Sequence, residues 1–375
     1  MSRFPMLPLL LSFSTTLQSA CLQDKCALPE FKENDPVCKS DMSAPPTDPK
    51  ALRTYILHSP GPKMEIDAIG MVENLNIALN AETLSQIALF QKPVDSIYKP
   101  KLITTHVPKN CNMYPCVIDS DFILPDSYLL YSHDQMTASK EQIRFTVRNM
   151  LYAMKWNTLQ PIKIKNTEIG SESLVASADD ILHAVIRADS VSKPILSVSN
   201  TPNFISYNLF ENDSASPMRV LIGKFFGDTN LGLALWNKDG SPIGVSQQNT
   251  SGTFNAVNSS IALPNVCVNE TNCVLSRVVL GDLDQDGMSD LVIAKIDGIK
   301  IHYAKVDAGN TSFTEETNYP DALKTATNVQ AIAVSIPSGN DKPKLVWATS
   351  SFTPSSMGST TGTNTITINV LPIKK

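Results

Sequence analysis

The stretch from Val278 to Tyr303 constrains the fold of this chain more than any other. Its first apolar run leads into an acidic loop, Asp282-Leu-Asp-Gln-Asp-Gly-Met-Ser-Asp290, and a second apolar run, Leu291 to Ile296, follows. An Asp-Gly pair and an alternating segment that ends at Tyr303 complete the stretch. Short apolar runs separated by turn residues predict a meander of antiparallel β-strands.

The acidic loop is a metal site by composition. Its four aspartates follow one another at steps of two, two and four residues, and so many carboxylates lie together only when a cation sits between them. Oxygen ligands of this kind suit Ca²⁺. The predicted ligands are the side chains of Asp282, Asp284, Asp286 and Asp290 and the backbone carbonyl of Met288.

The alternatives to a calcium loop between strands are an EF-hand and a solvated acidic hairpin. An EF-hand needs flanking helices and a glutamate at its twelfth position. The twelfth position from Asp282 is Ile293, inside a β-branched run, so the sequence excludes an EF-hand. A solvated acidic hairpin that holds no ion stays open as an alternative.

The motif GDLDQDGMSDLVIAK, followed by an Asp-Gly turn, resembles the FG-GAP repeat, also described as the VCBS-type repeat. This repeat is the blade unit of integrin-α-like β-propellers. The resemblance implies one calcium loop in each well-formed blade, circular packing of the blades, and a binding or adhesion role.

The same pattern recurs along the chain. When Leu233 and Leu345 are each aligned with Leu291, the glycines and the turn residues around Leu233 also align. Lys224 then replaces Asp282, while Gly232 and Lys344 both replace Asp290. The full set of predicted ligands therefore occurs in one repeat only.

Weaker copies of the repeat precede these three. Their equivalent positions fall near Asn76, Tyr128 and Leu196, and the spacing between copies is irregular. Units that hold about four strands each, and that bury their faces against neighbouring units, are typical of propellers. The sequence thus predicts an all-β fold, a β-propeller of about six or seven four-stranded blades.

A second metal site is a weaker hypothesis. The segment around Asp119 and Asp121 keeps two acidic residues, but Ile123 and Ser127 occupy the other two ligand positions. Two carboxylates and a hydroxyl bind calcium weakly, so a degenerate hairpin is the favoured interpretation there.

The N-terminus has the pattern of an export signal. Arg3 precedes an apolar segment, and the sequence Leu17-Gln-Ser-Ala-Cys21 is typical of a cleavage site. We predict a signal peptide over 1–20, a proline-rich tether over 21–62 that includes Cys26 and Cys38, and the propeller over 63–375. The Ser-Ala-Cys sequence also makes Cys21 a candidate for lipidation.

The seven cysteines agree with export. Three pairs are close neighbours in the sequence, and Cys21 is left over at the predicted cleavage point, where lipidation would account for it. Disulfides form in oxidising compartments, whereas free buried thiols in a cytosolic protein are the alternative. The predicted pairs are Cys26 with Cys38, Cys111 with Cys116, and Cys267 with Cys273.

Charge and motifs exclude several classes of function. A net charge of −5 gives no electrostatic case for nucleic acid, and membrane contact is expected only through a lipid at Cys21. The sequence contains none of the common hydrolase, metalloprotease or nucleotide-binding motifs. We therefore expect a non-enzymatic, exported calcium protein that binds an extracellular protein or glycan, with a structural ion. A polysaccharide lyase or hydrolase built on a propeller is the alternative.

Overall fold

The structure is a computed structural model of the chain. It describes residues 52–77, 82–95, 98, 101–107, 116–118, 122–123, 136–138, 142–147, 150–156, 161–168, 174–178, 182–188, 194–199, 205–207, 217–227, 230–237, 239–251, 254–258, 261–267, 277–307, 310–318, 320–335 and 342–373.

The described residues lie mostly in β-strands, with one short helical turn, α1 (Asp321–Lys324). The strands, in chain order, are β1 (Arg53–Pro62), β2 (Met64–Ile77), β3 (Glu82–Pro93), β4 (Lys101–Val107), β5 (Cys116–Ile118), β6 (Phe122–Ile123), β7 (Met136–Ala138), β8 (Gln142–Val147), β9 (Met150–Lys155), β10 (Pro161–Glu168), β11 (Leu174–Ala178), β12 (Leu182–Ala188), β13 (Pro194–Ser199), β14 (Ile205–Tyr207), β15 (Pro217–Gly223), β16 (Gly232–Asn237), β17 (Pro242–Gln247), β18 (Val278–Gly281), β19 (Asp290–Lys295), β20 (Gly298–Asp307), β21 (Asn310–Glu315), β22 (Ala331–Val334), β23 (Lys344–Pro354) and β24 (Thr361–Pro372).

These strands pair into six sheets in the described part of the chain. Sheet 1 has the order β2-β3-β4-β6, sheet 2 is built from β7 to β10, and sheet 3 from β11 to β14. Sheet 4 contains β15 to β17, and sheet 5 contains β18 to β21. Sheet 6 has the order β22-β23-β24-β1, with β5 beside β1. Each sheet is thus an antiparallel meander of neighbouring strands, apart from the contribution of β1 and β5 to sheet 6.

The first strand of each sheet contacts the first strand of the next. β2 contacts β7, β7 contacts β11, β11 contacts β15, β15 contacts β18, β18 contacts β22, and β22 contacts β2. The series returns to its starting point, so the six sheets form a closed ring around their first strands. The chain is a β-propeller, with six blades in the described part. The fold predicted from the sequence is confirmed, and the sheets are called blades 1 to 6 below.

Alternate residues of one strand enter two different cores, which explains why blade strands are continuously apolar. Leu291 and Ile293 of β19 pack with Trp236 in the core between blades 4 and 5. Val292, from the same strand, packs with Trp347 in the core between blades 5 and 6. A strand that is covered on both faces has apolar residues at successive positions, whereas a strand with one solvated face alternates apolar and polar residues.

The ring is closed by the N-terminal strand. β1 pairs antiparallel with β24 from Arg53, opposite Val370, to Pro62, opposite Thr361. The predicted boundary between tether and propeller at residue 62 is therefore too late, because residues 53–62 are the fourth strand of blade 6. Residues 1–51 of the predicted signal peptide and tether lie outside the described residues.

Side-chain hydrogen bonds hold the corner where β1 turns into blade 1. The amide of Asn364, fully buried on β24, donates to the carbonyls of Ser59, at 3.2 Å, and Pro62, at 2.7 Å. Its Oδ1 accepts the backbone N–H of Met64 at 2.8 Å. One side chain thus satisfies three backbone groups at the closing point of the ring.

We expect Asn364→Ala to destabilise the protein by about 2 kcal/mol, because it leaves buried backbone groups without partners. The shift of the urea unfolding midpoint measures this loss. Asn369→Ala is the matched control, since Asn369 lies half-buried on the same strand and accepts one bond, from the Thr54 hydroxyl. An equal loss in both variants would contradict a special role for Asn364.

A charged cluster joins blade 6 to blade 1 at the other end of these strands. Glu73 of β2 is buried, accepts a hydrogen bond from the Ser335 hydroxyl and pairs with the ammonium of Lys344. The backbone N–H of Lys344 donates to the Ser335 Oγ at 2.8 Å. Burial lowers the pKa of Lys344, and the charge of Arg53 acts in the same direction.

Lys344→Met should destabilise the protein more than Glu73→Gln does. The first change leaves a buried carboxylate without its cation, which costs about 3 kcal/mol. The second leaves an ammonium that is partly exposed and can be solvated. Urea unfolding of both variants, and of the Glu73→Gln/Lys344→Met double variant, tests this order. Equal losses in the two single variants would be inconsistent with it.

Candidate metal centre

The acidic loop connects the first two strands of blade 5. β18 and β19 pair from Val278, opposite Ile293, to Gly281, opposite Asp290. The eight residues between Gly281 and Asp290 therefore form the turn of a strand-loop-strand unit. This is the setting that the sequence predicts, and it differs from the helix-loop-helix setting of an EF-hand.

Three of the four predicted aspartates come together. Asp282, Asp284 and Asp290 each place one carboxylate oxygen within 4.8 Å of the others. Asp286 is not in this group; it is exposed, and its Oδ1 accepts the backbone N–H of Met288 at 2.8 Å. The structure thus brings together a smaller carboxylate set than the sequence predicts.

Asp290 fixes the loop to the rest of the blade. It is fully buried, and its two oxygens accept the backbone N–H groups of Leu283, at 2.8 Å, and Ala304, at 3.0 Å. Ala304 lies on β20, so this carboxylate links the loop to the third strand. Burial raises the pKa of Asp290 to about 7, although both hydrogen bonds act to lower it. Burial thus disfavours the charged form of this carboxylate, and a cation bound beside it would offset that cost.

Asp282 supplies the most direct indication of a ligand. Its Oδ2 accepts the backbone N–H of Gly287 at 3.0 Å. Its Oδ1 is buried and has no hydrogen-bond partner among the described residues. Burial raises the pKa of Asp282, and the charges of Asp286 and Asp284 add to that rise. An unpartnered buried carboxylate oxygen is costly unless a cation neutralises it.

The loop backbone takes a shape that few residues allow. Gln285 and Gly287 both have positive φ, 63° and 89°. Nothing lies within 4 Å of the position of a Cβ at Gly287, so its backbone conformation, and not crowding, is the reason for glycine. The turn directs the carboxylates of Asp282 and Asp284 towards the same side as Asp290.

The donor set fits a hard cation. Three carboxylates offer oxygen atoms only, and Ca²⁺ takes six to eight such ligands in flexible geometry. The residues present therefore fit the group that the sequence resemblance implies.

The strand pairing confirms the alignment of three repeats. Leu233, Leu291 and Leu345 each lie near the start of the second strand of a blade, opposite Ile222, Leu280 and Val334. At the position that Asp290 occupies in blade 5, blade 4 has Gly232 and blade 6 has Lys344. Blade 6 therefore carries an ammonium where blade 5 carries a carboxylate.

The alignment is wrong for two weaker copies. Leu196 lies on β13, the third strand of blade 3, and Asn76 lies on β2, the first strand of blade 1. All strands of a blade share the same apolar pattern, so an alignment by sequence slips by one strand. Tyr128 lies outside the described residues.

The weaker metal candidate does not have its predicted hairpin setting. Asp119 and Asp121 themselves lie outside the described residues. The flanking strand β5 pairs with β1 of blade 6, whereas β6 pairs with β4 of blade 1. The segment thus connects the outer edges of two blades, and a metal there stays a prediction.

The cysteine predictions are tested at two positions only. Cys116 and Cys267 are disulfide-bonded, and their predicted partners, Cys111 and Cys273, lie outside the described residues. Cys21, Cys26 and Cys38 lie outside them as well. The three pairings, and the lipidation of Cys21, stay predictions.

Sequence reasoning missed the residues that surround the carboxylates. Ala304 donates to Asp290 from 14 positions away, and Ser289 contacts the neighbouring blade through Lys224. Both contacts use backbone groups, which carry no signal in the residue types. The tryptophans Trp236 and Trp347 are buried in the blade cores.

The chain is similar to known proteins in structure but not in sequence. No protein-family model matches the chain, and no curated protein sequence does. A neuraminidase-like protein of A/flat-faced bat/Peru is 8% identical with a TM-score of 0.41, over 84% of this chain and 98% of that one. The Neurospora crassa Pan2 WD40 domain is 10% identical with a TM-score of 0.36, over 84% and 90%.

A third similar structure is an Agrocybe aegerita lectin that recognises non-reducing terminal N-acetylglucosamine. It is 13% identical with a TM-score of 0.39, over 77% of this chain and 73% of that one. These TM-scores are low, so the propeller assignment rests on the strand pairing and on the ring of contacts. Within the described residues, no helix is long and apolar enough to cross a membrane.

Proposed function

We propose that this chain is an exported propeller of the FG-GAP type that binds one calcium ion in the acidic loop of blade 5. The observation that carries the proposal is the buried Oδ1 of Asp282, which has no hydrogen-bond partner among the described residues and lies with the carboxylates of Asp284 and Asp290. A bound cation would neutralise this cluster.

The ion would be structural. Asp282, Asp284 and Asp290 would hold it, with Asp286 and the Met288 carbonyl as the further ligands that the sequence suggests. These residues hold the loop and β20 together through the hydrogen bonds of Asp290. They lie at the turn between two strands, so the ion would stabilise the blade and perform no chemistry.

The acidic loop lies on one face of the propeller, and we assign partner binding to the opposite face. The first two strands of blade 6 connect at the end where Lys344 pairs with Pro372. β1 begins at this same end, because Arg53 pairs with Val370. The acidic loop connects the same two strands of blade 5, so the preceding residues join the propeller on the acidic-loop face. The opposite face carries the turns between second and third strands.

Exposed apolar side chains support binding on that opposite face. Four large apolar residues are exposed in the described part of the chain. The least exposed, Val306, lies beside the β20–β21 turn on the acidic-loop face, and the other three are Val94, Ile296 and Met357. These three lie between β3 and β4, β19 and β20, and β23 and β24, in blades 1, 5 and 6. A lipid at Cys21 would attach the chain to the membrane from the acidic-loop face, where β1 begins. The opposite face would then meet an extracellular protein or glycan.

Calcium should raise the melting temperature of the full chain, and Asp282→Asn should remove this response. Extracellular sites bind calcium with Kd values of about 10⁻⁴ to 10⁻³ M. At millimolar calcium the gain is on the order of 1 kcal/mol, which corresponds to a rise of about 1.5 °C for a propeller of this length. Thermal unfolding with calcium or with EDTA measures it.

Asp297→Asn is the matched control, because it removes one exposed carboxylate from the opposite face of the same blade. It should keep the calcium response of the wild type. Equal melting temperatures with calcium and EDTA in the wild type would favour the ion-free acidic hairpin. Cleavage of a glycan by the purified chain would instead favour a polysaccharide lyase or hydrolase.

A further inference from the structure

The loop that connects β15 and β16 in blade 4 has lost most of its carboxylates. Lys224, Phe226 and Gly232 occupy the positions of Asp282, Asp284 and Asp290, as the paired strands show. Its own sequence therefore lacks the ligand set of a calcium loop. The described first part of this loop, residues 224–227, is called the blade-4 loop below.

Ser289 of the acidic loop holds the backbone of the blade-4 loop. The backbone N–H of Ser289 donates to the carbonyl of Lys224 at 2.7 Å. In return, the backbone N–H of Lys224 donates to the Ser289 Oγ at 2.9 Å. Both backbone groups of Lys224 are thus satisfied by one residue of the neighbouring blade.

The residue before the blade-4 loop makes this approach possible. A Cβ at Gly223 would lie 2.7 Å from the Ser289 Oγ and 2.8 Å from its Cβ, and it would also touch Leu280. Real Cβ atoms do not approach other atoms so closely, so any larger residue would displace Ser289. The glycine at the end of β15 is required by the acidic loop of blade 5.

The outer hairpin of blade 5 supports the same loop. The hydroxyl of Thr311 donates to the Phe225 carbonyl at 2.6 Å. The Phe225 ring packs edge-on against Phe313, with centroids 6.1 Å apart. The blade-4 loop therefore depends on blade 5 for contacts on two sides.

We propose that calcium in blade 5 orders the blade-4 loop, and that Ser289 transmits the effect. This inference rests on the calcium site proposed above. Ser289 lies directly before Asp290, so the ion that fixes Asp290 also fixes Ser289. Without an ion, the repulsion among Asp282, Asp284 and Asp290 loosens the acidic loop, and the two bonds to Lys224 weaken with it.

The consequence is a calcium response that extends over two blades. One ion would order two loops, the acidic loop that binds it and the blade-4 loop, which lacks a complete ligand set. Linkage makes the coupling reciprocal, so a disturbance of the blade-4 loop weakens calcium binding. The coupling free energy is carried by the two hydrogen bonds between Ser289 and Lys224.

Hydrogen exchange of the full chain, with calcium and with EDTA, tests the inference. In the wild type, calcium should slow exchange in residues 282–290 and also in the blade-4 loop. In Ser289→Ala, which lacks the Oγ that Lys224 bonds, the protection of 282–290 should stay. Protection of the blade-4 loop should fall by about fivefold, as expected for one hydrogen bond.

Ser312→Ala is the control, because Ser312 is an exposed serine of the same blade, and both responses should persist in it. Protection of 282–290 alone in the wild type would overturn the inference and leave the calcium site standing. An absence of protection at both places would overturn the calcium site as well.

A second variant tests the reverse direction. Gly223→Ala should weaken calcium affinity by about tenfold, because the added Cβ displaces Ser289. Calorimetric titration with calcium chloride measures the affinity. Gly358→Ala is the control, since a Cβ at Gly358, whose φ is 80°, would meet nothing within 4 Å and would leave Ser289 undisturbed from the opposite face. Unchanged affinity in Gly223→Ala would contradict the coupling.

Discussion

A blade of this protein has two apolar faces, and both must be covered by other blades. Leu291 and Val292 are adjacent in β19, yet they lie in two separate cores. A blade in isolation would leave both sets of side chains in water, so no blade is stable alone. The ring must close, and the closing contacts between β1 and β24 therefore support every other interface in the molecule.

The contacts between blades differ in their chemistry along the ring. Blade 6 meets blade 1 through the ion pair of Lys344 with the buried Glu73. Blade 5 meets blade 4 through the backbone bonds of Ser289 with Lys224. Blade 6 supplies its own cation at this interface, the Lys344 ammonium. In blade 5 we assign the cation to an ion bound by the acidic loop, next to Ser289. The repeat keeps its geometry while the charge at one position changes from carboxylate to ammonium.

Local signals made the acidic loop and its strands predictable from the sequence. The aspartate spacing, the apolar run from Leu291 and the Asp-Gly turn are all short-range patterns, and the structure places them as expected. The sequence does not reveal that Asp286 stays exposed and apart from the other three carboxylates. Its carboxylate accepts the backbone N–H of Met288 instead. That choice depends on the exact backbone path, which residue types alone do not determine.

Non-local pairing explains the errors of the sequence analysis. The segment that forms β1 contains Pro60 and Pro62, and the sequence predicts a tether there because prolines punctuate a polar stretch with little periodicity. At this end, however, β1 has β24 on one side only, as its contact with β5 is limited to residues 55–57. An edge position tolerates proline, and the partner strand that creates it is more than 300 residues away.

The closing strand also sets an order of events during folding. Thr54 and Asn369, which bond to each other across β1 and β24, are 315 positions apart. At about 5–20 residues per second, synthesis of the chain between them takes roughly 15–60 s. Throughout that time β1 has no partner strand for its blade, and the edge it will cover does not yet exist. β24 completes the ring, so a chain that stops before Thr361 leaves β1 without its antiparallel partner.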